Sequence, residues 1–265
     1  MHAIKVNASG IAVFAAGFVA TLLTRQASLV RRARHMTLAA PPHRAFETHG
    51  TGPLRTRVLL AGDSTGVFAT SMPRGLSLPA FLAEQFGPIE LVNVCRNGAQ
   101  MADVIEQLEA VARPKARFDI ALIFAGGNDV LQSTRPAALA RQTRSVIDKA
   151  RVLADRTVWV GCPNLGLAPA FLPPLSWWFS WRTRCTAQLL ADVARAHGVD
   201  FVDFAGDEHH RQIRSCRASY FAADGVHPSV EAYGYCFEVL GRRPAIDELR
   251  QMRRPAAGGQ ALSAA

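Results

Sequence analysis

Arg57-Val58-Leu59-Leu60-Ala61-Gly62-Asp63-Ser64-Thr65-Gly66 is the stretch whose reading decides the fold. After Arg57, residues 58–61 are apolar without alternation, the pattern of a strand buried on both faces. The run stops at Gly62-Asp63-Ser64, small and polar residues that suit a tight turn from a strand into a helix.

Outward from there the same grammar repeats. Strands are expected at Ile89–Cys95, Asp119–Ala125, Thr157–Gly161 (stopped by Pro163) and Val199–Phe204. Between them lie helical patterns at Leu78–Phe86, Met101–Ala112, Pro136–Asp155, the later part of Trp178–His197, and Ser229–Leu240. In Met101–Ala112, Val104, Ile105, Leu108 and Val111 recur at helical spacing. Apolar strands alternating with helices predict an α/β fold with a parallel sheet covered on both faces. Ligands in such sheets sit at the carboxyl ends of the strands.

The chain has 265 residues, of which 49% are hydrophobic, enough for one sizeable core. Its net charge of +9 is uneven, because residues 1–50 hold six Lys/Arg against one acidic residue. The remainder is mildly basic and lacks a Lys/Arg stripe interleaved with aromatics, so no nucleic-acid partner is expected. Cys95, Cys162, Cys185, Cys216 and Cys236 are odd in number and scattered, without a CxxC pair. Neither a disulfide framework nor a zinc site follows from that spacing.

Residues 1–35 form a hydrophobic leader. Val6–Thr24 is an uncharged run of nineteen residues, long enough for a membrane anchor. A cleaved signal peptide and a soluble amphipathic helix are the competing readings; Arg25 and Gln26 interrupt a small-x-small cleavage site. Arg25, Arg31, Arg32 and Arg34 follow the run, which places the body on the cytoplasmic side by the positive-inside rule, with an exported body as the alternative. Residues 36–55 read as a linker, 56–245 as the folded domain, and 246–265 as a tail rich at its end in Ala, Gly and Ser and expected to be disordered there.

Chemistry concentrates in four short words. Ser64 closes the first strand, where a turn exposes its hydroxyl; a serine needs a base to become a nucleophile. Capping a helix is the structural alternative for Ser64. The base candidate is His227, in Asp224-Gly225-Val226-His227, with Asp224 three residues upstream to accept from Nδ1. His209-His210 is a rival pair without an evident orienting group. Asn128, in Gly126-Gly127-Asn128-Asp129, offers a side-chain amide to a developing oxyanion, and Gly98 offers a backbone N–H where no side chain blocks approach. The N–H of Ser64 is a third donor. Asp63 and Asp129 are expected to brace the loops by accepting backbone hydrogen bonds. This set needs no metal and no cofactor.

These words, in this order, resemble the four sequence blocks of the SGNH hydrolases, a branch of the GDSL esterase/lipase superfamily. The resemblance covers roughly Val58 to Leu240. It implies a flavodoxin-like three-layer α/β/α sandwich of about five parallel strands. It also implies Ser64 as nucleophile, Gly98 and Asn128 as oxyanion donors, His227 as base and Asp224 as its partner. Thr65-Gly66 follows the serine where Leu or Ile is frequent in that family.

The implied activity is hydrolysis of a carboxylic ester or thioester, with an acyl lipid among the candidate substrates. Carbohydrate O-deacetylation and a non-catalytic binding module are the alternatives. A nucleotide-binding fold is disfavoured because no G-x-G-x-x-G follows the first strand. Phe171–Trp181 is the most aromatic stretch; Trp177, Trp178 and Trp181 are its substrate-binding candidates, as an acyl lip or a membrane contact, with core packing as the alternative. Arg182 and Arg184 are candidates to meet an anionic head group.

Overall fold

The computed structural model describes residues 16–17, 19–28, 31, 46–52, 55–73, 75–113 and 117–253. Among the described residues, six strands form one sheet: β1 (Phe46–His49), β2 (Thr56–Gly62), β3 (Ile89–Asn93), β4 (Phe118–Phe124), β5 (Ala154–Val160) and β6 (Asp200–Val202), in the order β1-β3-β2-β4-β5-β6. All neighbours pair in parallel except β1, which runs antiparallel on β3 with Phe46 opposite Val92. Without β1 the order is that of the flavodoxin-like sheet, which grows to one side of β2 with β3 and to the other with β4 to β6.

The helices of the folded body are α1 (Ser64–Ser71), α2 (Leu78–Phe86), α3 (Met101–Val111), α4 (Gly127–Leu131), α5 (Pro136–Leu153), α6 (Leu175–Ala196), α7 (Asp207–Ser215), α8 (Arg217–Tyr220), α9 (Val230–Gly241) and α10 (Pro244–Arg253). Successive side chains of a strand face opposite ways, so each buried strand feeds two cores. Val58, Leu60, Ile120 and Leu122 share one core with Leu78, Leu82, Phe237 and Leu240. Leu59 and Ala61 join Ala121, Ile123 and Trp159 against Val104, Leu108, Val146 and Ile147 in the other. The near-continuous apolar runs in the sequence are the signature of these two cores.

Two boundaries differ from the sequence reading. β1 lies inside the expected linker; it is a short edge strand whose residues are exposed or half-buried, so it carries no apolar run to betray it. Helix α10 extends the folded body past residue 245 by burying Ile246 and Leu249, while residues 254–265 lie outside the described residues. Of the expected membrane segment, Val6–Thr24, residues 6–15 and 18 also lie outside the described residues. Among the described residues no helix is long and apolar enough to cross a membrane.

Candidate active site

The turn between β2 and α1 is built for close approach. At Gly62, with φ +141°, a Cβ would lie 2.0 Å from the Phe124 carbonyl oxygen, so any side chain is excluded. Asp63 N then donates to that oxygen at 2.8 Å, tying the turn to the end of β4. Asp63 is the helix cap: its Oδ1 accepts from Thr65 N at 2.8 Å. Capping by Asp63 leaves the Ser64 hydroxyl for another partner, and Ser64 Oγ lies 3.0 Å from His227 Nε2. At Gly66 a Cβ would stand 2.4 Å from Cys95 Sγ, which explains why glycine follows Thr65 here.

His227 sits on a loop pinned from several sides. Ala222 N donates to its carbonyl at 2.8 Å, and Ser229 N donates to Tyr220 O at 2.8 Å where α9 begins. Asp224 Oδ1 accepts from the N–H groups of Val226 (2.9 Å) and His227 (3.0 Å), while Oδ2 pairs with His227 Nδ1. Burial alone would raise the Asp224 carboxyl, but the His227 ring and these N–H groups outweigh it and hold the group below its ordinary value. The Phe68 ring, centred 4.8 Å from the imidazole, flanks it. The rival histidines are engaged elsewhere: His209 Nδ1 meets Tyr235 Oη at 2.6 Å, and His210 Nδ1 meets Asn164 Nδ2 at 3.2 Å.

Gly98 and Asn128 line the same cleft as Ser64 and His227. Gly98 has φ +76° on the turn after β3, with nothing within 4 Å of where a Cβ would stand. Asn128 is in the first turn of α4, after β4, and its Nδ2 donates to Ala99 O at 3.0 Å. One amide hydrogen thereby fixes the side chain on the Gly98 turn. Asp129 Oδ2 accepts from Met101 N at 3.0 Å and Oδ1 from Thr134 Oγ1 at 2.8 Å, bracing the same two loops. Ser64, Gly98 and Asn128 thus stand at the carboxyl ends of β2, β3 and β4, where the sheet order reverses.

The wall beyond Ser64 and His227 is apolar: Leu131, Leu165, Phe171, Leu175, Phe179 and Val226. Trp177, Trp178 and Trp181 do not line it. They lie on the outer side of α6, 69%, 39% and 56% exposed, because helical spacing turns Leu175 and Phe179 inward and these three away. Arg182 is not available for a head group either: its guanidinium donates to Val130 O (3.0 Å) and Thr134 O (2.8 Å) and stacks over the Trp178 ring.

A model of the GDSL-like lipase/acylhydrolase family matches residues 60–235, which span every element of this site. The chain belongs to that family. It is 27% identical over 235 residues to a GDSL-like esterase of Mycobacterium tuberculosis, covering 83% of this chain and 74% of that one. Among solved structures, TesA superposes with a TM-score of 0.54 at 22% identity, covering 73% of this chain and 99% of TesA. An acetylxylan esterase from Geobacillus stearothermophilus gives 0.55 at 17% identity, covering 75% of this chain and 95% of the other. At those identities the structural likeness shows the shared fold. The protein is thus a GDSL-type esterase with the SGNH α/β architecture.

Two features of this GDSL-like site leave little trace in the sequence. Gln107, on α3, receives Gly62 N–H on Oε1 at 2.7 Å and donates from Nε2 to Gly62 O at 2.9 Å, buried beneath the turn. Met101–Ala112 reads as an amphipathic helix, and a glutamine facing inward departs from that pattern; this is the signal that marks it. The second is electrostatic. Burial pushes the Asp63 carboxyl up from 3.8 to about 6, against the Thr65 hydrogen bonds and the nearby His227. Burial, with Asp63 adding to it, also pushes the Cys162 thiol in the cleft up to about 12, so it stays protonated at neutral pH.

Proposed function

We propose that the protein is a serine ester hydrolase that works through an acyl-enzyme on Ser64 and takes esters with an apolar acyl chain. The carrying observation is the Ser64–His227–Asp224 line, with Oγ 3.0 Å from Nε2, at the base of an apolar cleft. His227 Nε2 takes the Ser64 proton as Oγ bonds to the substrate carbonyl carbon. The carbonyl π electrons move onto oxygen, where the N–H groups of Ser64 and Gly98 and the Asn128 amide are the proposed donors. Asp224 holds the imidazolium in orientation. The tetrahedral species collapses, His227 gives its proton to the leaving oxygen, and the alcohol departs. Water then attacks the acyl-enzyme with His227 again as base, releasing the acid and restoring Ser64.

Leu131, Leu165, Phe171, Leu175, Phe179 and Val226 support an acyl chain rather than a sugar as the group on that side, since hydrocarbon gains from leaving water against such a wall. The test is a fluorophosphonate probe together with an ester panel from acetyl to palmitoyl. Labelling of the wild type, its loss in Ser64→Ala, and preference for an acyl chain longer than acetyl are the expected results. Labelling that survives Ser64→Ala would overturn the assignment of the nucleophile.

A further inference from the structure

One wall of the cleft is fastened from an unexpected place. Gln26 lies in the helical stretch 19–28, 144 residues before the Ala170 carbonyl that it touches. Its Nε2 donates to Ala170 O at 2.6 Å, and its Oε1 accepts from Leu172 N at 2.8 Å. A carboxamide that takes a donor and an acceptor on either side of one residue does what a neighbouring strand would do: it fixes that residue's backbone.

The residue so bracketed is Phe171. It is 5% exposed, its ring centre is 4.4 Å from that of Phe179, and both rings line the cleft. The same loop reaches the other side of the site, because Ala170 N donates to Gly225 O at 3.0 Å, two residues before His227. Gly225 leaves little slack there: with φ +73°, a Cβ on it would stand 3.1 Å from Ala170 N.

We propose that Gln26 is a positioning residue for acyl-chain selectivity: it clamps residues 170–172 so that Phe171 stands against Phe179 as a fixed wall. The segment before the folded domain is then part of the substrate site through one side chain. This proposal rests on the reading of the cleft as an acyl site. An acetyl group does not reach a wall that a longer chain must lie against, so the clamp acts on the ratio of long-chain to acetyl turnover.

The test uses the full-length chain and p-nitrophenyl acetate and octanoate. Gln26→Ala should lower the octanoate-to-acetate ratio of kcat/KM by about 3- to 10-fold, the scale of one or two hydrogen bonds, through KM for octanoate. Gln26→Glu keeps the acceptor for Leu172 N–H but sets a carboxylate oxygen against Ala170 O, so it should lower the ratio at least as far as Gln26→Ala. In Phe171→Ala the wall is already gone, and adding Gln26→Ala should change the ratio no further. Amide exchange at Leu172 reads the clamp without catalysis and should quicken at least about 10-fold in Gln26→Ala. An unchanged ratio, or additive losses in the double variant, would overturn the selectivity role; unchanged exchange would overturn the clamp. If the wild type neither labels with fluorophosphonate nor turns over either ester, the ester reading has failed, and the exchange result still decides the clamp.

Discussion

Gln107 holds Gly62 by both of its backbone groups, with Gly62 N–H on Oε1 at 2.7 Å and Gly62 C=O on Nε2 at 2.9 Å. Gly62 O also receives Arg96 N–H at 3.0 Å, so in Gln107→Leu it keeps one donor, whereas Gly62 N–H is left buried without an acceptor. That single orphan costs about 1–3 kcal/mol. The expected outcome is a fall in Tm of about 3–10 °C for a domain of this size. Turnover should also drop, because the backbone that aims Ser64 is freed. Thermal melting and ester kinetics on the same sample check both.

The proposed nucleophile and base act as a unit. Ser64→Ala or His227→Ala should each lower kcat by at least about 10³-fold, and the double variant should be little worse than either single one. His209→Ala should stay near wild type, since its Nδ1 is engaged by Tyr235 Oη. Circular dichroism would show that the fold survives in each case. Strong retained turnover in His227→Ala would move the base elsewhere.

Asn128 has two amide hydrogens, of which one is given to Ala99 O at 3.0 Å. In the proposed mechanism the other meets the oxyanion. Asn128→Ala should therefore lower kcat by about 10²- to 10³-fold with a small change in KM, because the interaction exists only in the transition state. Steady-state kinetics on a single ester separate the two parameters. A rise in KM with kcat intact would assign Asn128 to ground-state binding.

How much of this site the sequence discloses depends on what each residue leaves behind in it. Strands buried on both faces leave unbroken apolar runs, which mark β2, β4 and the end of β5, while shorter apolar stretches before a loop mark β3 and β6. Ser64, Gly98, Asn128, Asp224 and His227 each stand at a loop after a strand or before a helix, and such loops leave Gly and Asp as marks. Edge strand β1 is not legible, because an exposed strand needs no apolar residues. The tryptophans mislead for a related reason: Trp is read as a binding residue by type, while its direction depends on helix phase, and α6 turns Leu175 and Phe179 to the cleft instead. Gln26 and Gln107 act across 146 and 45 residues of sequence; an inward position in an amphipathic helix singles out Gln107, but no local pattern names the partner of either.

Asp63 gives a pH dependence of definite sign. Its carboxyl is raised by burial from 3.8 to about 6. Between those values the folded state keeps a proton that the unfolded chain has released, so stability falls as pH rises through the window. Two units correspond to about 3 kcal/mol in all, of which about 2 kcal/mol is lost between pH 4 and pH 7. Asp63→Asn keeps a side-chain oxygen to accept from Thr65 N–H and removes this titration. Urea unfolding of both proteins from pH 4 to pH 8 should show the wild type losing ground to the variant across about pH 4–7 and little further change above. A difference that stays flat would mean that the carboxyl titrates in the folded protein as it does in the unfolded chain.

The placement of α6 separates two classes of aromatic substitution. Phe179 is 6% exposed and packs on Phe171 inside the cleft, so Phe179→Ala removes apolar surface that an acyl chain would meet. Loss of such contact weakens binding by about 1–3 kcal/mol, equivalent to about 5- to 150-fold in kcat/KM for octanoate and far less for acetate. Trp177 and Trp181, 69% and 56% exposed on the opposite side, contribute nothing to that wall. Trp177→Ala and Trp181→Ala should therefore keep the wild-type ratio of octanoate to acetate turnover in detergent-free solution. The chain-length profile of the three variants distinguishes the inward face of α6 from its outward face. A profile altered by Trp177→Ala as strongly as by Phe179→Ala would return the tryptophans to the substrate site.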